Sequence, residues 1–330
     1  LQNGNDKDAY KITIELRLGI QRMPILTMSD KNPYKALAGY FLCVVFLAAT
    51  VTCSAIEVTI TRAGTNIVLS WPRDTINEFY LQKAANLAYP LIWTNEADPV
   101  TNGTDLTVTK SLTGPGCFYR LQAWENLFDG TNVSAFREFP TNASNSFPSN
   151  SWLVTNGILA TRVVANPTHL ITRVAYSDCE LRWRWKTDTN GNSGVFYRET
   201  SQSNSLSAVS QEYQLLDDQN RTEVTDPRHQ LAAVWGLISA TNRQLVPTTN
   251  WNDCRVIVSG NRVQHWLNGR VVIDYYINSP QWTNIVSPSA IGYFGQATNA
   301  YLGFQNIGNN DAGVVPGMTY FQDIKVRRLP

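Results

Sequence analysis

The sequence predicts an all-β chain, a jelly-roll-type sandwich behind a smaller N-terminal β-sandwich, and three observations carry that expectation. Short runs of alternating apolar and polar residues recur along the chain, Gly- and Asn-containing turns separate them, and no helical stretch longer than a turn or two competes. Trp, Tyr and Phe number 10, 14 and 12, a load that suits pleated sheets and also the stacking surfaces that bind sugars. The 330 residues are 43% hydrophobic, enough to core two domains. With 27 basic against 26 acidic residues, and only 16% charged, the chain lacks the electrostatic footprint of a nucleic-acid binder.

In chain order, residues 1–27 precede Met28 and are expected to be an upstream, unstructured segment. Residues 28–55 read as a signal peptide. Lys31 and Lys35 form its charged start, Ala36 to Thr52 its apolar run, and Cys53-Ser54-Ala55 its small-residue cleavage site. A mature chain would then begin at Ile56, in the periplasm or outside the cell, with no membrane contact after cleavage. A retained anchor is the competing reading, but the run is short for a span and no basic stop-transfer cluster follows it. From residue 56 to 124, strands are expected at Glu57–Ile60, Asn66–Trp71, Phe79–Gln82, Thr107–Thr109 and Phe118–Leu121. This small β-sandwich resembles a fibronectin-III-like module through Leu69-Ser70-Trp71 and Phe118-Tyr119-Arg120-Leu121, and reads as a spacer. Residues 125–150, rich in Asn, Ser, Thr and Pro, have the composition of a linker.

Residues 151–330 form the larger domain. Glu180–Trp185 alternates apolar with charged residues, Asn190-Gly191 offers a tight turn, and Gly194–Arg198 follows, so a hairpin is expected. A second hairpin pattern runs from Arg255–Val258 through Gly260-Asn261 to Val263–Leu267, then through Asn268-Gly269 to Val271–Tyr275. Phe321–Val326 is the last strand. Outside the signal segment the cysteines are Cys117, Cys179 and Cys254, and Cys179 with Cys254 is the expected disulfide because both open strands of one domain.

The sharpest chemical feature is Gln211–Asp218. In a strand, Glu212 and Gln214 share one face while Tyr213 and Leu215 share the other, a polar pair suited to line a cleft. Positions 212, 214 and 216 read Glu, Gln and Leu, so the face lacks the second acid of an ordinary two-carboxylate glycosidase. From the strand alone, Glu212 is as readily an edge acid paired with an arginine. His265 shares a face with Val263 and Leu267 and taken alone is a structural histidine. Beside Glu212 and Arg198 it would complete an acid–base pair with a cation for developing negative charge. Arg198 is as readily a salt-bridge residue. Asp217, Asp218 and Asp226 lie in a polar loop whose oxygens suit Ca²⁺, but the spacing matches no loop template, so a solvated loop is expected and no cofactor is predicted. Cys-x-x-Cys, His-Glu-x-x-His, phosphate-cradling and Gly-x-Ser-x-Gly motifs are absent.

Five segments in order carry a resemblance: Tyr176–Leu181, Asn192–Arg198, Glu212–Asp218, Trp251-Asn252 and His265–Gly269. Together they make residues 151–330 similar to the 3-keto-disaccharide hydrolase domain, also described as 3-keto-glucoside 1,2-lyase and 3-keto-2-hydroxy-glucal hydratase. The resemblance implies a concanavalin A-like jelly roll, export, and a carbohydrate partner, a glycoside already oxidised at C3. A ketone at C3 acidifies the C2 hydrogen, so one base, one acid and an enolate stabiliser suffice. It further implies Glu212 or His265 as the base, the other as proton donor, and Arg198 with Gln214 on the keto oxygen. Tyr197, Trp266 and Gln305 would be further substrate contacts.

The chain departs from the family at three places. Phe304-Gln305-Asn306-Ile307-Gly308 stands where the family carries Leu-Gln-x-His-Gly, Phe321-Gln322-Asp323-Ile324 where it carries Phe-Arg-Asn-Ile, and Ala232-Ala233-Val234-Trp235 where it carries Gly-x-Leu-Tyr. Ile307 in place of a histidine favours the alternative of a non-catalytic carbohydrate-binding module on the same fold. A structural surface protein would bind no sugar at all.

Overall fold

The computed structural model describes residues 9–12, 45–48, 58–73, 78–85, 94–96, 99–111, 118–139, 146–199, 210–286, 294–309, 311 and 313–329. They fall into two units, one ending at Trp124 and one spanning Glu125–Leu329.

The first unit contains β1 (Ala9–Ile12), β2 (Val45–Ala48), β3 (Val58–Ala63), β4 (Asn66–Pro72), β5 (Phe79–Ala84), β6 (Thr94–Asn95), β7 (Val100–Asn102), β8 (Asp105–Ser111) and β9 (Phe118–Ala123). One sheet runs β1-β3-β4-β8-β7 and the other β2-β9-β5-β6. Alternation buries Val58, Leu69, Trp71 and Val108 from the first sheet against Phe79, Leu81, Tyr119 and Leu121 from the second. The 1–27 segment is not wholly without structure. Ala9–Ile12, in the strand-prone run Tyr10-Lys11-Ile12-Thr13-Ile14, pairs antiparallel with β3. Of residues 28–55, Val45–Ala48 is described, as a strand parallel to β9; the rest lies outside the described residues, as does Cys117.

The second unit contains β10 (Glu125–Phe128), β11 (Phe136–Phe139), β12 (Trp152–Thr155), β13 (Ile158–Thr161), β14 (His169–Thr172), β15 (Cys179–Thr187), β16 (Asn192–Glu199) and β17 (Gln211–Leu216). It continues with β18 (Asn252–Ser259), β19 (Arg262–Leu267), β20 (Arg270–Tyr276), the short helix α1 (Pro280–Ile285), β21 (Tyr301–Phe304) and β22 (Thr319–Arg328). An eight-stranded sheet runs β12-β13-β22-β15-β18-β19-β20, with β10 also on β22, and a five-stranded sheet runs β11-β14-β21-β16-β17. Their inner faces meet in one core, where Trp183 from the larger sheet stands edge-on to Tyr213 from the smaller at 5.0 Å between ring centroids. The second unit is a two-sheet sandwich of jelly-roll type, and the smaller β unit precedes it in the sequence. Among the described residues no helix is long and apolar enough to cross a membrane.

Three further expectations are corrected. The 125–150 stretch is not a free linker: β10 pairs with β22, β11 pairs with β14, and Leu127, Phe128 and Phe136 are core residues that a composition rich in Asn and Ser obscured. The turn at Asn190-Gly191 does not close a hairpin. It carries the chain from β15 in one sheet to β16 in the other, because both strands bury apolar residues toward the same core. Cys179 and Cys254 are buried free thiols. Opening residues of antiparallel strands lie at opposite ends: Cys179 stands opposite Val258 and Cys254 opposite Trp183. That separation is four rungs, about 13 Å, beyond the reach of a disulfide. The β18–β19–β20 meander forms where the turn residues place it, with Gly260 at φ 55° and Asn268-Gly269 at φ 50° and 82°.

Candidate functional site

The outer face of the five-stranded sheet holds a cleft of about 490 Å³. Its floor follows from strand register. β16 pairs with β17 so that Asn192, Gly194 and Phe196 stand opposite Leu216, Gln214 and Glu212 on the face turned away from the core. Glu212 is 7% exposed. A Cβ built on Gly194 would lie 1.9 Å from Glu212 Oε1, so the missing side chain at 194 is what gives the carboxyl its place on the floor. Among the described residues no donor and no arginine engages that carboxyl, and burial pushes it from an ordinary 4.5 up to about 8.

The segment after β17 builds one wall. Asp217 accepts from Asn190 N (2.9 Å), Asn220 Nδ2 (2.7 Å) and Thr248 Oγ1 (2.7 Å), and Asp218 accepts from Leu231 N (2.8 Å) and pairs with Arg243. These two carboxylates pin the loop back onto the sheet, and their oxygens are taken by protein donors. The loop re-enters through a single 3₁₀ turn, Pro227–His229, started by the Asp226 side chain accepting from Arg228 N with Pro at the first position. Arg228 holds the Asp226 carboxyl down to about 2. Residues 232–235 then run along the open edge of β17, with Ala232 N bonded to Gln214 O, Gln214 N to Ala233 O and Trp235 N to Glu212 O. Trp235, 47% exposed, therefore sits beside Glu212 at the cleft, and the His229 ring lies against it at 5.0 Å. His229 Nδ1 is 3.9 Å from Asp226 Oδ2.

The far end of the cleft is charged. Arg221, buried, pairs with Asp311 and Glu223, and its pairing with Asp311 raises its affinity for the proton. Asn192 Nδ2 donates to the same Asp311 carboxylate at 2.9 Å. Opposite, Gln305 and Ile307 follow β21, with Gln305 N bonded to Gly194 O at 2.9 Å.

Asp226 and Ile307 line this cleft, and of the seven residues assigned in the sequence to catalysis or substrate so do Glu212, Gln214 and Gln305. Four do not. His265 is fully buried between the sheets, where Nε2 meets Tyr197 Oη at 2.7 Å and Nδ1 meets Ala232 O at 2.9 Å, and burial lowers it to about 4. Its strand belongs to the other sheet and its face points into the core. Tyr197, odd-numbered on β16 with Val195, is likewise interior and shares its hydroxyl with Tyr275 at 3.1 Å. Arg198 breaks the alternation: the register shifts after Phe196, Arg198 takes φ 60°, and its guanidinium bonds the carbonyls of Gly295 (3.3 Å), Ala297 (3.1 Å) and Gly260. Trp266 lies on the outer face of the eight-stranded sheet under Arg255, 4.8 Å from ring centroid to guanidinium. Sequence reasoning missed Asn192, Arg221, His229, Trp235 and Asp311 as site residues. The Asp226-Pro227 start signal was the available sign that the polar loop turns back on itself.

Residues 123–327 match the profile of the 3-keto-alpha-glucoside-1,2-lyase-like domain. A 3-keto-disaccharide hydrolase of Bacteroides thetaiotaomicron is 29% identical over 133 residues, 36% of this chain and 46% of that protein, so the chain matches about half the length of its curated relative. Two solved structures from Parabacteroides distasonis, both carrying a glycosyl hydrolase assignment, are alike in fold. They give TM-scores of 0.52 and 0.50 at 23% and 24% identity, covering 62% of this chain and 93% and 99% of theirs. The chain belongs to the 3-keto-alpha-glucoside-1,2-lyase-like domain family.

Proposed function

We propose that the protein cleaves 3-keto-glycosides on this concanavalin A-like sandwich by elimination and hydration, with Glu212 as the base at C2. The observation that carries the reading is the Glu212 carboxyl itself: buried on the cleft floor, without a donor among the described residues, and raised to about 8, near the pH at which a base works best. Glu212 takes the C2 proton, the electron pair forms the C2–C3 enolate, and expulsion of the C1 oxygen breaks the glycosidic bond. His229 on the facing wall protonates the leaving oxygen, and the Gln305 side-chain amide faces the keto oxygen. Water then adds across C1 and C2, so the sum is glycoside plus water giving 3-keto sugar plus alcohol. His229 takes the place of the core-bound His265 in this scheme. The N-terminal unit serves as a fibronectin-III-like spacer, and the chain is exported with cleavage before Ile56, a cut that sheds the end strands β1 and β2 and that terminal sequencing of the mature protein checks.

The test is aglycone release from a 3-keto-glucoside and from its unoxidised parent, using the chain and its Glu212→Gln and His229→Ala variants. Release from the keto substrate alone, lost in Glu212→Gln, is the expected result. Ile307 in the cleft favours a second reading, a non-catalytic carbohydrate-binding module, for which binding without turnover is the signature.

A further inference from the structure

We propose that Gln214 is a one-way acceptor in the cleft, its amide turned by a hydrogen-bond relay that ends on Asp311, and that it reads a sugar hydroxyl and not the ketone. The inference rests on the reading of the cleft as a keto-sugar site and replaces the pairing of Gln214 with the keto oxygen that the resemblance implied.

A glutamine amide presents an acceptor on one side and two donors on the other, and nearly equal shape leaves its neighbours to decide which way it faces. Gln214 Nε2 lies 3.3 Å from the His229 carbonyl and 3.4 Å from Asn192 Oδ1. A backbone carbonyl only accepts, so the first contact puts the amino group on that side. The second is fixed from further away. Asn192 Nδ2 donates to Asp311 Oδ2 at 2.9 Å, and Asp311 is a carboxylate paired through both oxygens with Arg221. A carboxylate held by a guanidinium accepts and does not donate, so Asn192 must turn its amino group to Asp311 and its oxygen to Gln214. Turning either amide over would face oxygen to oxygen.

One atom is left at the end of this relay. Gln214 is 3% exposed and lines the cleft, yet its Oε1 is buried with no partner among the described residues. A buried acceptor without a donor is unfavourable, and a ligand hydroxyl relieves it. A keto oxygen carries no hydrogen and meets Oε1 only with repulsion. Gln214 therefore selects for a sugar hydroxyl, and Asn192 and Asp311, with Arg221 behind them, are positioning residues that set the sense of that selection.

The experiment is calorimetric titration of the full-length Glu212→Gln chain, which holds substrate without turning it over, with methyl 3-keto-α-glucoside and its 2-deoxy, 4-deoxy and 6-deoxy analogues. One deoxy analogue is expected to bind about tenfold more weakly than the parent and the other two within about threefold. Adding Gln214→Met should erase that single difference, with Gln214→Leu as a second variant if the first does not fold. Adding Asp311→Asn, whose amide both donates and accepts, removes the outer constraint and leaves the His229 carbonyl to orient Gln214, so the tenfold ratio should fall to about threefold. If Asp311→Asn weakens all four sugars alike and leaves the ratio unchanged, Asp311 only supports the loop and the relay is wrong. Equal binding of parent and all deoxy analogues overturns the hydroxyl assignment alone. Absence of binding by the parent removes the sugar reading of the cleft, and the inference with it.

Discussion

Glu212→Gln tests the electrostatics of the cleft independently of any substrate. The side chains match in size, but glutamine cannot ionise. Burial raises Glu212 from 4.5 to about 8 in the folded protein, so between those pH values the folded chain keeps a proton that the unfolded chain has released. Stability contributed by this group is therefore fully present below pH 4.5, falls as pH rises, and levels off above pH 8. At ~1.4 kcal/mol per pH unit, the loss across that window reaches about 5 kcal/mol. His169 and His265, each lowered to about 4 by burial, act with the opposite sign, their stability being lost as pH falls from 6.5 toward 4. Both histidines are present in both proteins, so they cancel in the comparison. Urea unfolding followed by tryptophan fluorescence at pH 5, 6, 7, 8 and 9 should show the variant gaining on the parent with each step to pH 8 and no further. Parallel curves, offset by a constant amount over the whole range, would refute the view that the floor of the cleft holds a protonated carboxyl.

Gly194→Ala places a methyl group 1.9 Å from Glu212 Oε1 and must displace the carboxyl; turnover of a 3-keto-glucoside should fall about 100-fold, read as kcat/KM on folded protein. Trp235→Ala should weaken sugar binding by about 1 kcal/mol while shifting Tm little, since half of the indole already faces solvent. Tyr197→Phe should do the reverse, destabilising the fold by about 1–2 kcal/mol in urea by stripping His265 Nε2 of its partner, with sugar affinity unchanged. Glu180→Gln, on the outer face of the larger sheet, removes the buried charge that Arg182, Arg255 and Arg327 share and should cost about 3 kcal/mol of stability, measured in the same way.

Local pattern carried most of the strands and failed where tertiary context decides. The alternation in Gln211–Leu216 placed Glu212 and Gln214 together on one face, which is where they stand. The same rule misplaced Arg198, because one residue at φ 60° shifts the register and no pattern of apolar residues announces it. His265 has the period of a strand residue on a buried face, and the sequence does not say that this face belongs to the opposite sheet from Glu212. The Asn190-Gly191 turn misled for the same reason: a tight turn specifies a change of direction, while the partner of the next strand is chosen by the core. Asn192, Arg221 and Asp311 were illegible as a group because their meeting depends on a chain closing back on β16 across the separation of 119 positions between Asn192 and Asp311.

Residues 232–235 also bear on how copies of this protein behave toward one another. β17 is the last strand of its sheet, and an outermost strand with free amides and carbonyls is a template for pairing with a neighbouring chain. By lying along that margin and taking up its hydrogen bonds, the stretch from Ala232 to Trp235 seals it. Loosening the stretch would thus do two things at once, moving the indole away from Glu212 and opening a border prone to self-association. The cover of a strand edge and the indole on the cleft wall thus come from one stretch of four residues.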